Sequence, residues 1–109
     1  METFLLKCDG DRDLKFKGEL IASASSSDDR ERQDYSGSVG RWSTMSLYMT
    51  EGGKYIATHI RHTRWRGERT SYSTAVLDDS ESVIEFFGQD WLAKRLYEVA
   101  EIENVTTVE

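Results

Sequence analysis

Proline is absent from all 109 residues, so every reversal of the chain has to be made by Gly, Asp, Asn or Ser. Cysteine occurs once, at Cys8, which excludes an internal disulfide and any zinc site built on cysteines. Histidine occurs only at His59 and His62. In a strand that odd spacing sends the two rings to opposite faces, and no metal site is expected. No apolar run approaches the ~20 residues that a membrane-spanning helix needs. The start, Met1-Glu2-Thr3-Phe4-Leu5-Leu6-Lys7, meets a lysine and an acidic turn too early for a signal peptide. A cytoplasmic location, with no membrane partner, is the expectation. There is no internal repeat, no G-x-S-x-G elbow and no phosphate-cradling loop. Glu51-Gly52-Gly53-Lys54 lacks both the spacing of a P-loop and its Ser or Thr. Cys8 sits beside Asp9, whose charge disfavours a thiolate. No enzyme activity and no cofactor are expected.

What the chain does have is charge and aromatic surface. Charged residues make up 31% and hydrophobic ones 38%, with three Trp, five Tyr and four Phe. That is too apolar for disorder, and the length suits one domain over residues 1–109. The formal charge of −6 is uneven. Residues 1–53 have a net charge of −3, residues 54–69 of +4, and residues 70–109 of −7. A short basic segment thus separates two acidic ones. Overall acidity argues against non-specific nucleic-acid binding by the whole surface, but a local basic hairpin escapes that argument.

Residues 1–77 read mostly as strands. The run 3–8 is apolar, and the Asp9-Gly10-Asp11 that follows is a hairpin signal. Residues 14–24 form a second strand, polar on one side, followed by a small, polar stretch read as a mobile loop at 25–34. Over 41–50 the alternation is clear: Met45, Leu47 and Met49 point one way, Trp42, Thr44, Ser46 and Tyr48 the other. A Gly52-Gly53 two-residue turn leads to a partner strand over 55–65, and a further strand runs over 70–77. The period then changes, and residues 78–103 read as helical. Asp78-Asp79-Ser80-Glu81 is a helix start, Gly88 a stop, and Asp90 the cap of a second helix reaching Ala100. Leu92, Leu96 and Val99 are expected on its buried face, with Trp91 beside them. The tail 104–109 is β-branched and could add an edge strand. The expected fold is α+β: an antiparallel meander of four to five strands with two C-terminal helices packed on one face. Met45, Leu47, Phe86, Phe87, Leu92 and Leu96 are the expected core.

Two surfaces stand out. The segment 59–69 gathers Arg61, Arg64, Arg66 and Arg69 with two histidines and Trp65 around one hairpin. Arginine is a bidentate donor for phosphate and carboxylate, and tryptophan stacks on bases. The same arginines could instead balance an acidic protein or form an inter-subunit ion-pair patch. The helical half carries Asp78, Asp79, Glu81, Glu85, Glu98 and Glu101, with Trp91 and Tyr97 as candidate anchors. Carboxylates on a rigid support can occupy a protein groove that otherwise receives phosphates.

Arg41-Trp42…Gly52-Gly53-Lys54-Tyr55 and Trp91-Leu92-Ala93-Lys94-Arg95-Leu96-Tyr97 resemble segments of bacterial mobile-element proteins. Size, acidity and strand-rich plan resemble phage and mobile-element anti-defence proteins of the anti-CRISPR type. Those proteins share no one fold, so the resemblance implies a role and assigns no residue. The resulting expectation is a non-enzymatic binding protein. It would inhibit or regulate a nucleic-acid-handling protein complex, anti-CRISPR-like or anti-restriction-like, through its acidic surface. The alternative is a small nucleic-acid-binding or regulatory protein using the 59–69 hairpin. A homodimer and a small-ligand pocket between sheet and helices remain open.

Overall fold

The computed structural model describes residues 2–26, 41–63, 66–105 and 108. They form five strands and two helices in chain order: β1 (Glu2–Leu6), β2 (Leu14–Ser25), β3 (Arg41–Thr50), β4 (Tyr55–Thr63), β5 (Ser71–Leu77), α1 (Ser80–Phe87) and α2 (Trp91–Ala100). The sheet is an antiparallel meander in the order β1-β2-β3-β4-β5, with both helices on one of its faces. The fold is therefore the α+β arrangement that the pattern of strands followed by helices predicts. Most of the loop expected at 25–34 lies outside the described residues. Val105 is not in a strand, and Thr106 and Thr107 are not described.

The β3–β4 hairpin sets the register of the centre. Its loop is Glu51-Gly52-Gly53 rather than a two-residue turn, and only Gly53 takes a positive φ, +88°. Thr50 and Lys54 close it through a 2.8 Å backbone bond. Every later pair follows, from Met49↔Tyr55 to Arg41↔Thr63. Met45, Leu47 and Ala57 consequently share the helix-covered face, while Trp42, Tyr48, Ile56 and His62 share the other.

In β2 the alternation slips. Leu20 pairs with Tyr48 but Ala22 pairs with Leu47, so Ile21 is one residue too many. That bulge exchanges the two faces. Before it, Phe16 and Leu20 share the face that neither helix covers; after it, Ala22 and Ala24 turn to the helices. Small side chains there let α2 lie close over β2 and β3, while α1 covers β4 and β5.

The bulge also accompanies a strong curl. Phe4 of β1 reaches past β2 to Tyr48 of β3, with ring centroids 4.8 Å apart, and Phe16 packs on both. Between them Gly18 has no side chain, and a Cβ there would overlap the Met49 carbonyl oxygen. The curl brings the segment after β1 to the outer edge of β5. Asp9 N–H donates to Tyr72 O, Tyr72 N–H donates to Asp9 Oδ2, and Thr74 Oγ1 donates to Lys7 O, each at 2.9 Å. An edge that would otherwise invite a foreign strand is partly covered. Ile56, on the face that neither helix covers, is only 2% exposed, because the curled sheet shields its own concave side.

The main core lies between sheet and helices: Met45, Leu47 and Ala57 below, Val83, Phe87, Leu92, Ala93, Leu96 and Tyr97 above. Phe86 packs at its margin. Val99, expected on the buried side of α2, is 56% exposed. The buried stripe of α2 is Leu92-Ala93-Leu96-Tyr97, rotated by one position from the expected one.

Candidate functional site

The helical layer is held at its ends by its own acids. Asp79 caps α1, its Oδ1 accepting the Ser82 N–H at 2.8 Å. Backbone and side-chain hydrogen bonds from Ser82 hold its carboxyl below the ordinary aspartate value. Asp90 caps α2 in the same way through Ala93 N–H, also at 2.8 Å. Such caps stabilise helix termini by about 1 kcal/mol each. Gly88 ends α1 at a φ of +86°, and Glu101 ends α2 in the left-handed region at +59°. Glu81, in the first turn of α1 where an acid suits the helix N-terminus, is exposed, as are Glu85 and Glu98. Asp78 lies 3.4 Å from Lys54 Nζ, a largely exposed pair worth little. Residues 78–103 hold eight acids and two basic residues, a net charge of −6 that equals the charge of the whole chain. The rest of the protein is nearly neutral.

The two expected anchors separate. Trp91, at the first turn of α2, is 38% exposed. Tyr97 is a correction: it is 2% exposed, and its hydroxyl donates to Gly88 O at 2.7 Å. It fastens the end of α1 to α2 and offers nothing to a partner. Helical spacing places Trp91, Arg95, Glu98 and Val99 on one outer stripe, so the apolar residue beside Trp91 is Val99.

The arginine hairpin is only partly described. Arg64 and Trp65 lie outside the described residues. Arg61 is exposed at the end of β4, and Arg66 and Arg69 are exposed in the turn before β5. Arg61 projects from the helix-covered face, opposite Ser43 and Ser71. Glu68, the acid of this turn, is engaged internally. Arg41 grips it with two hydrogen bonds, one of them 3.0 Å from Nε, and Thr63 donates to it at 2.7 Å. These bonds lower its carboxyl pKa.

The histidines lie on opposite faces, as their spacing implies. His59 faces the helices, and its Nε2 is buried without a partner among the described residues. Burial lowers its pKa, the Arg61 charge adds to this, and Asp90 opposes it. His62 stacks on Trp42 on the face that neither helix covers, ring centroids 4.8 Å apart, with Nε2 3.0 Å from Thr44 Oγ1. Sequence reasoning missed this pair. The signal was present, since the hairpin register that pairs residue 49 with residue 55 also pairs residue 42 with residue 62.

Among the described residues no three His, Cys, Asp or Glu side chains gather to hold a metal. A cleft of about 230 Å³ is lined by Cys8, Asp11, Arg12, Leu14, Thr74, Ala75 and Val76. It lies between the β1–β2 loop and β5, not between sheet and helices. No helix among the described residues is long and apolar enough to cross a membrane. No protein family, curated protein or solved structure matches the chain.

Proposed function

We propose that the chain is a non-enzymatic binding protein whose acidic helical layer docks on the basic, nucleic-acid-binding surface of a protein complex. It inhibits or regulates that complex in the manner of anti-CRISPR or anti-restriction proteins. One observation carries the reading: the net charge of −6 resides in the two-helix layer. Ordering a flexible segment on binding costs affinity, whereas these carboxylates are already ordered. Trp91 and Val99 supply apolar surface beside Glu98, as a contact centre needs. Asp79 and Asp90 are caps, so a charge reversal that spares both caps uses Glu81, Glu85 and Glu98.

The test is capture from a nuclease-treated host extract by the wild type and by Glu81→Lys/Glu85→Lys/Glu98→Lys, followed by a nucleic-acid-binding assay on any purified partner. The wild type should recover a nucleic-acid-handling complex and suppress its binding to DNA or RNA. The triple variant should associate more slowly, most clearly at low salt. Equal recovery by both proteins, or no such partner, would refute the reading. A second reading, direct nucleic-acid binding by the hairpin of residues 59–69, is favoured by exposed Arg61, Arg66 and Arg69. Labelled DNA and RNA titrated at two salt concentrations separate it from the first.

A further inference from the structure

His59 stands where a positive charge is hard to accommodate. It faces the helix layer from the centre of β4, between Met45 of β3 and Ser73 of β5. Its Nε2 is buried without a hydrogen-bond partner among the described residues, and buried polar atoms left so are uncommon. A neutral imidazole tolerates the position, because its one proton can stay on Nδ1 and leave Nε2 a bare acceptor. An imidazolium has no such choice. It carries N–H on both nitrogens, so one of them must point into the acceptorless site whichever tautomer came before.

The neighbours do not remedy this. On the same face β3 offers Ser43 and Met45, and β5 offers Ser71 and Ser73. α1 packs on β4 and buries Val83 and Phe87, while its acids Glu81 and Glu85 are exposed. Tyr55 of β4 and Tyr97 of α2 bring phenols to the core. Two charges act on the ring: Arg61 of its own strand opposes protonation, and Asp90 favours it. Asp90 is already the cap of α2, accepting the Ala93 N–H, and it makes no hydrogen bond to the buried nitrogen.

What gives way on protonation follows from how each layer is held. Backbone pairing to β3 and β5 fixes His59 from both sides, whereas the helices rest on the sheet by side-chain packing. Elements held by fewer cooperative contacts open locally before the whole fold does. We propose that His59 is an acid-sensitive latch of the helix layer: protonation of its ring lets α1 and α2 lift from the sheet while the strands stay paired. Lifting admits water to the buried nitrogen and restores the solvation that a charged ring needs. A proton accepted by the opened form and refused by the closed one favours opening as pH falls through the ordinary 6.5, and the effect levels off below the folded value. The latch is independent of what the helices bind.

Hydrogen exchange followed by NMR at about pH 7.5, 6.5 and 5.5 tests this on the wild type, each amide's rate being divided by its intrinsic rate at that pH. For amides inside α1 and α2, opening should rise by up to about tenfold over this range, the limit that one proton sets. Amides of β3 and β4 should keep their protection. His59→Leu should remove the pH dependence, and His62→Gln should leave it intact. Helix protection that does not change with pH in the wild type, or equal loss in helices and strands, would overturn the latch. Neither outcome depends on how His59→Leu folds. The same pH dependence in a folded His59→Leu would overturn it as well.

Discussion

Replacing Tyr97 by phenylalanine removes one oxygen from the junction of α1 and α2 and leaves the packed ring in place. The hydroxyl proton goes to the Gly88 carbonyl at 2.7 Å, with the Ile84 carbonyl at 3.3 Å as a weaker neighbour. Ile84 O also accepts the Gly88 N–H at 2.8 Å, so it keeps a partner in the variant, whereas Gly88 O loses its hydroxyl donor. A net hydrogen bond is worth roughly 0.5–1.5 kcal/mol, and an unpaired buried acceptor adds to that. Gly88 is only half-buried, so the expected loss is about 1–2 kcal/mol. For a domain of this size that lowers the melting temperature by roughly 5–10 °C. The same hydroxyl supplies a second readout. Burial, aided by the Asp90 charge, pushes the Tyr97 phenol up to about 12 from its ordinary 10.0. Between those values the folded protein keeps a proton that the unfolded chain has released. The stabilisation is complete below the unfolded value and is lost as pH rises through the folded one. The local slope is about 1.4 kcal/mol per pH unit. Urea unfolding of wild type and Tyr97→Phe, followed by circular dichroism from about pH 8 to 11, tests both parts. The wild-type advantage should shrink as pH climbs, other tyrosines and lysines cancelling in the difference. A gap that stays constant, or a variant as stable as wild type, would refute the junction as described.

Leu96→Ala empties a fully buried site on α2 and should cost about 2–5 kcal/mol by denaturant titration. A loss below about half a kilocalorie would mean that the face of α2 is misassigned. Gly18→Ala should destabilise by roughly 1–3 kcal/mol, because the Met49 carbonyl that a Cβ would strike is backbone and cannot step aside. Equal unfolding midpoints would show that the curl does not need glycine there. His59 holds its proton less tightly when folded than its ordinary 6.5, so its contribution is complete above that value and is lost as pH falls through the folded one. His59→Leu should therefore flatten the acid limb of the stability curve, and an unchanged limb would exclude His59 as its source.

Local chemistry made much of the fold legible. Asp79, Gly88 and Asp90 are a cap, a stop and a cap, and they bound the helices within a residue or so. The hydrophobic alternation of 41–50 matches β3. The failures occur where two distant segments decide. Leu92 and Leu96 belong to the buried stripe of α2 whether it is completed by Val99 or by Ala93 and Tyr97, and hydropathy favours Val99. The position of α1 decides for Tyr97, whose hydroxyl finds carbonyls at the end of that helix. The bulge at Ile21 has no punctuation in the sequence, being neither Gly nor Pro. It follows from what each side of β2 must meet: aromatic rings before it, helices after it.

Counting placed the negative charge in the helical half, but counting treats all carboxylates alike. The structure divides them: Asp79 and Asp90 are held by backbone N–H groups, Glu68 is taken by Arg41 from a strand 27 positions away, and Glu81, Glu85 and Glu98 are left to the solvent. The same division applies to the aromatic residues. Tyr97 reads as a surface anchor because it lies close in sequence to the helical acids, yet it is core. Trp42 reads as one of many alternating residues, yet the register of a hairpin eight residues away aligns it with His62. A residue is available to a partner only after capping, ion pairing and packing have taken their share. Among the described residues, that reckoning leaves Glu81, Glu85 and Glu98 on the outer side of the helices exposed to solvent.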